Sequence, residues 1–189
     1  MADVVLFHHA LGVTAGIEAL ADAFGAVGNT VHVADLFDGR TFTDVADGVA
    51  YAEEIGFDAM ADRGLAAVAG LPEGLVYAGF SLGVLPAQRL AQGRSGARGA
   101  LLCHSAVPLE FFGPWPAAVP VQVHLRSDDP FDEGDTEAAR DICAASDDGE
   151  LFVYPGAGHL FGEEGHPDHD PDASDLLVAR ALAFFARIG

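Results

Sequence analysis

Short runs of apolar, often β-branched residues recur along the chain and alternate with longer stretches of helical period. Val4-Val5-Leu6-Phe7 opens the pattern, and a helical stretch follows from Thr14 to about Val27. Thr30-Val31-His32-Val33 reads as a second strand, and the segment from Asp35 to Asp47, with Asp38-Gly39-Arg40 in it, as a loop with a turn. A helix is predicted from about Phe57 to Ala69, stopped by Gly70 and Pro72. Leu75-Val76-Tyr77-Ala78 is a third strand, which runs through Gly79-Phe80-Ser81-Leu82-Gly83 into a helix ending near Gln92. Further buried strands are expected at Gly99–Cys103 and Val121–Leu125, with a loop rich in proline and aromatics, Pro108 to Pro120, between them as a candidate pocket wall. A helix from Asp135 to Ala145, a strand at Leu151–Tyr154 and an amphipathic helix from about Ala173 to Arg187 complete the pattern.

Strands that alternate with helices imply parallel pairing with crossover connections. The predicted fold is therefore α/β, a doubly wound, mostly parallel sheet of about six or seven strands with helices on both faces. In such sheets ligands bind beyond the carboxyl ends of the strands. No internal repeat or linker interrupts the chain, so residues 1–189 are expected to form a single domain around one core.

The unit of strand, tight turn and helix around Ser81 carries the chemistry. Gly79-x-Ser81-x-Gly83 satisfies the nucleophile-elbow pattern, whose glycines allow a strained serine to project its hydroxyl from a strand-to-helix turn. A serine hydroxyl is a weak nucleophile at neutral pH and needs a histidine base, which in turn needs an acid to fix its tautomer. Both follow in the required order. Asp129 stands in Ser127-Asp128-Asp129-Pro130-Phe131 after one strand, and His159 in Gly156-Ala157-Gly158-His159 after the last. Asp128 is the rival acid, whereas Asp132 and Asp135 read as a turn and a helix start facing solvent. Acyl transfer also needs two donors for the developing oxyanion. The Leu82 amide supplies one, and the segment His8-His9-Ala10-Leu11-Gly12 after the opening strand supplies the other.

Composition narrows the partners. Twenty-nine acidic residues face nine basic ones, all arginine, for a net charge of −20. A field of that sign repels polyanions and argues against nucleic acid. No apolar run reaches the length of a membrane span, and no basic segment marks a secretory leader, so a soluble cytoplasmic protein is expected, as monomer or homodimer. Cys103 and Cys143 fit neither a disulfide framework nor a metal motif and are read as structural. The acidic, histidine-containing segment Glu163 to Asp172 lacks metal-ligand spacing, and no metal or other cofactor is expected.

Phe7-His8-His9-Ala10-Leu11-Gly12, Ala34 to Arg40, Gly79-Phe80-Ser81-Leu82-Gly83, Asp129-Pro130-Phe131 and Gly158-His159 together resemble the dienelactone hydrolase family, most closely its short bacterial members. The resemblance implies an α/β-hydrolase fold and a cofactor-free hydrolase of small-molecule esters or lactones. It carries Ser81, Asp129 and His159 over as the triad and the amides of Ala10 and Leu82 as the oxyanion hole. Two positions depart from the better-known members: Ser81 replaces a cysteine nucleophile, and His9 stands where a glutamate contacts that thiol. Dienelactone carries a carboxylate that the family grips with arginine, but no arginine lies within several residues of His159; Glu163 and Glu164 stand there instead. Dienelactone is therefore not expected as the native substrate. His9, Phe37, His104 and Trp115 are candidate pocket residues. For His9 the alternatives are a hydrogen-bond partner of the nucleophile region or an ordinary polar loop residue. A non-catalytic binding protein on the same fold is the alternative to an enzyme.

Overall fold

A computed structural model describes residues 1–189. Six strands, β1 (Asp3–Phe7), β2 (Thr30–Ala34), β3 (Val76–Phe80), β4 (Gly99–Cys103), β5 (Val121–Arg126) and β6 (Gly149–Tyr154), form one sheet. Their order is β2-β1-β3-β4-β5-β6 and every pairing is parallel. Six helices connect them: α1 (Ala15–Gly25), α2 (Val45–Ile55), α3 (Phe57–Ala67), α4 (Val84–Gly93), α5 (Asp135–Ala145) and α6 (Pro171–Ile188).

The two-residue period of the strands sorts their side chains onto two faces. Val5, Phe7, Tyr77, Ala100 and Leu102 point to one side, where they pack with Ala52 of α2, Met60 of α3, Ala87 of α4 and Ile142 of α5. Val4, Leu6, Val76, Ala78, Leu101 and Cys103 point to the other, against Ile17 and Phe24 of α1 and Leu177 and Phe185 of α6. Because β1, β3 and β4 are covered on both sides, they read as nearly continuous apolar runs, whereas β5, buried as well, alternates Val121, Val123 and Leu125 with the buried polar Gln122, His124 and Arg126. Each fully buried Leu, Ile or Phe in these layers contributes about 2 kcal/mol. No helix is long and apolar enough to cross a membrane.

The element missing from the sequence reading is α2. Its Asp44 side chain caps the Ala46 amide, and Gly48 and Ala52, four apart, face inward. The loop expected from Asp35 to Asp47 therefore ends at Asp44, and α2 and α3 meet at Gly56, whose φ of 94° lets the chain turn between them.

Candidate active site

Ser81 follows β3 directly, at φ 50°, in a short 3₁₀ turn that leads into α4. This left-handed conformation strains a serine, and it is held because the flanking backbone leaves no alternative space. A Cβ at Gly79 would lie 2.4 Å from the Gly83 carbonyl oxygen, and one at Gly83 would lie 2.3 Å from the Phe7 carbonyl oxygen. Only glycine permits the elbow to pack this tightly against β1.

The Ser81 hydroxyl donates to His159 Nε2 at 2.8 Å, and His159 Nδ1 donates to Asp129 Oδ2 at 2.7 Å. The histidine and aspartate side chains are each 6% exposed, so their contact is screened little by water. Asp129 Oδ1 accepts from the Phe131 amide, which fixes the carboxylate, while Asp128 is exposed and its Oδ2 accepts from the neighbouring Ser127 hydroxyl. The structure thus brings Asp129, and not Asp128, to the imidazole.

Ala10, Leu82, Ser81 and His159 line one cleft of about 440 Å³. Its remaining lining comes mostly from apolar residues of α2, α3, α4 and the loops after β4 and β5, among them Val45, Val49, Phe57, Leu85, Val107, Phe111, Phe112 and Phe131. The loop that carries Ala10 is held from several directions. His8 Nδ1 donates to the His9 carbonyl at 2.6 Å while His8 Nε2 accepts from the Leu36 amide, so His8 is the neutral Nδ1–H tautomer. Burial lowers its pKa to about 4, which agrees with that assignment.

A model of the dienelactone hydrolase family matches residues 1–189. The chain belongs to that family. Membership makes it a hydrolase that acts on esters. Among solved structures, this dienelactone hydrolase-family chain is similar to a dienelactone hydrolase-like promiscuous phosphotriesterase from metagenomic libraries, at 19% identity and TM-score 0.76, covering 100% of this chain and 87% of that one. It is also similar to a dienelactone hydrolase from Anabaena variabilis, at 16% identity and TM-score 0.71, covering 99% and 87%. A cold-adapted esterase from an Arctic intertidal metagenomic library matches at 18% identity and TM-score 0.69, over 99% of this chain and 82% of that one. No curated protein sequence gives a significant match.

Several expected pocket residues of this family member lie elsewhere. Phe37 is fully buried in the core beneath α2, edge-on to Phe42 and Tyr51. Trp115 is buried with its indole N–H donating to the Val119 carbonyl, so it closes its own loop. His104 is buried behind the site, and its Nδ1 donates to the His159 backbone carbonyl. His9 is buried too: its Nδ1 accepts from the Leu11 amide and its Nε2 donates to Glu163 Oε2 at 2.8 Å. None of the four lines the cleft. Asp135 differs in the opposite sense. Expected at a solvent-facing helix start, it lines the cleft and accepts from the Ser105 hydroxyl and the Ala106 amide.

The residues that sequence reasoning missed fall into two groups. Val45 and Val49 on α2 were recoverable, because Asp44 followed by apolar positions four apart is a helix-start signal. Glu163 was not, since its buried contacts with His9 and Thr14 join positions 154 and 149 residues away. That acidic segment brings no three potential metal-ligating side chains together.

Proposed function

We propose that the chain is a serine hydrolase that cleaves an ester or lactone through an acyl-enzyme. The observation that supports this most strongly is the unbroken chain of hydrogen bonds from Ser81 through His159 to Asp129 at the wall of an apolar cleft. His159 Nε2 takes the hydroxyl proton as Ser81 Oγ bonds to the substrate carbonyl carbon. The carbonyl electron pair moves to oxygen, where the amides of Ala10 and Leu82 donate to it. Asp129 remains ionised and stabilises the imidazolium. Collapse of the tetrahedral intermediate breaks the bond to the alkoxy oxygen, which receives the proton from His159 Nε2. Water, deprotonated by the same nitrogen, then attacks the acyl-enzyme and restores Ser81. In a lactone the two product ends stay in one molecule.

Hydrolysis of p-nitrophenyl hexanoate by the protein and by Ser81→Ala, together with labelling of Ser81 by an alkyl phosphonate, tests this reading. Turnover and labelling that both vanish in the variant, with the fold intact by circular dichroism, are expected. Turnover that persists in Ser81→Ala rules out the serine mechanism. A protein that neither turns over the ester nor takes the label is instead a binding protein on this fold.

A further inference from the structure

The cleft is mostly apolar, and the acidic side chains on its wall have no lysine or arginine counterpart there. Phe57, Phe111 and Phe131 are 45%, 67% and 51% exposed, and of the thirteen phenylalanines these are the only exposed ones. All three border the cleft that holds Ser81. Leaving three aromatic rings in water at one place is costly unless a bound group covers them, which marks the surface a substrate occupies. The ionisable groups that share this lining, apart from His159, are Asp58 and Asp135. Neither forms an ion pair. None of the nine arginines reaches the lining: Arg63 of α3 and Arg89 of α4 pair with Asp38 at 2.9 Å and Asp62 at 3.0 Å, and Arg140 of α5 is exposed and forms no ion pair with Asp58 or Asp135. The Asp135 carboxylate is oriented by the Ser105 hydroxyl and the Ala106 amide, which leaves its charge uncompensated by any cation.

From this arrangement we infer that the cleft selects esters by the sign of their charge: it takes apolar neutral and cationic acyl groups and rejects anionic ones. This rests on the serine-hydrolase reading above and adds the substrate class to it. A carboxylate drawn into the cleft loses water, meets aromatic faces whose π-electrons repel it, and lies near two like charges. A quaternary ammonium group meets the same faces and the same carboxylates with attraction, which offsets its desolvation. The net charge of −20 acts in the same direction during approach.

Four p-nitrophenyl esters test the inference. The first pair is the hexanoate and the mono-adipate, matched in length and differing by a terminal carboxylate. The second pair has acyl chains ending in tert-butyl or trimethylammonium, matched in shape and differing by a positive charge. For the wild-type protein at low salt, kcat/KM for the adipate is expected to fall on the order of a hundredfold below the hexanoate. The trimethylammonium ester is expected within about tenfold of its tert-butyl counterpart. Asp58 is exposed at the start of α3 and bonds to nothing, which makes Asp58→Arg a surface change at the rim. That variant should raise the adipate-to-hexanoate ratio at least about tenfold, and added salt should narrow the wild-type gap. Equal rates for adipate and hexanoate overturn the inference while Ser81-dependent hexanoate turnover still upholds the serine mechanism. Equal rejection of both charged esters, with no response to Asp58→Arg, overturns it as well, because desolvation alone then explains the discrimination. If no ester is turned over and Ser81 takes no phosphonate, the failure belongs to the serine mechanism.

Discussion

Replacing Asp129 by Asn separates the acid from its neighbour and puts a number on the geometry. Asp129 Oδ2 accepts the Nδ1–H of His159 at 2.7 Å, which leaves Nε2 bare to accept from Ser81 at 2.8 Å. An asparagine amide in the same place presents N–H to Nδ1 and so drives the ring proton to Nε2, where it faces the serine and cannot accept. The substitution also removes a carboxylate from beside the imidazolium that forms as the serine attacks. Two unit charges at about 4 Å with an effective dielectric of about 20 attract by roughly 4 kcal/mol, and the low exposure of both side chains keeps solvent from erasing this. Charge and tautomer together are expected to cost about 5 kcal/mol, or roughly ten-thousandfold in kcat/KM. Asp128 is exposed and its carboxylate bonds only to the neighbouring Ser127 hydroxyl, while its amide contact with the Gly156 carbonyl survives the substitution, so Asp128→Asn is expected to change the rate by less than about threefold. Initial rates on p-nitrophenyl hexanoate, with urea unfolding to verify both folds, provide the assay. A loss below about a hundredfold in Asp129→Asn, or equal losses in the two variants, refutes the assignment.

Three further outcomes follow from neighbouring contacts. Glu163 is 4% exposed between His9 Nε2 and Thr14 Oγ1, so Glu163→Ala strands one buried and one half-buried donor and is expected to cost about 2 kcal/mol in urea unfolding, with Glu163→Gln losing less because an acceptor remains; equal stability of all three proteins would remove the brace. A Cβ on Gly48 would lie 1.8 Å from the Ala10 carbonyl oxygen, so Gly48→Ala must push α2 or the Ala10 loop away, with an expected fall in kcat of at least about tenfold; a kcat unchanged from wild type would show that this loop position does not matter. Burial lowers the pKa of His8 to about 4 and of His124 to about 3, below their unfolded value of about 6.5, so the unfolded chain binds more protons as pH falls. Each is expected to withdraw about 2 kcal/mol of stability between about pH 7 and about pH 5, the loss saturating below the folded pKa, and His124→Gln should flatten the slope; an identical slope in that variant contradicts the mechanism.

What the sequence disclosed depended on how local each signal was. The elbow at Gly79 to Gly83 is a five-residue pattern whose mechanics demand a strand before and a helix after, and both were readable from hydrophobic runs. Asp129 and His159 were readable because each follows a predicted strand in the order such sites require. The choice between Asp128 and Asp129 was not a matter of pattern: it turns on which of two adjacent side chains meets the His159 imidazole. The pocket wall was legible only in part for the same reason: the loop from Pro108 to Pro120 does supply Phe111 and Phe112 to the cleft, whereas Phe37 and Trp115 turn into the core. Phe37 and Phe111 both sit in loops between strands, yet one is fully buried under α2 and the other is 67% exposed at the cleft, and nothing in the neighbouring residues distinguishes them. Missing α2 compounded this, since α2 covers Phe37 and supplies Val45 and Val49 to the cleft.

The two histidines displaced from the pocket account for how a long loop can hold the base in register. Strand order places β3 next to β1 and β4, but His159 follows β6, three strands from β3, so its loop must reach back across the sheet to meet Ser81. Such a segment would be mobile without ties to the strands it crosses. His104, just past β4 at φ 69°, donates Nδ1–H to the His159 carbonyl oxygen. His9, just past β1, donates Nε2–H to Glu163 farther along the same loop. The base is therefore pinned from the strands on either side of β3, and the tie at β1 also belongs to the loop that carries Ala10. Burial pushes the His104 pKa well below its ordinary value, which keeps the ring neutral with one N–H to give. A neutral donor suits this place better than a lysine or arginine, because a fixed positive charge behind His159 would oppose formation of the imidazolium on which the proposed chemistry depends.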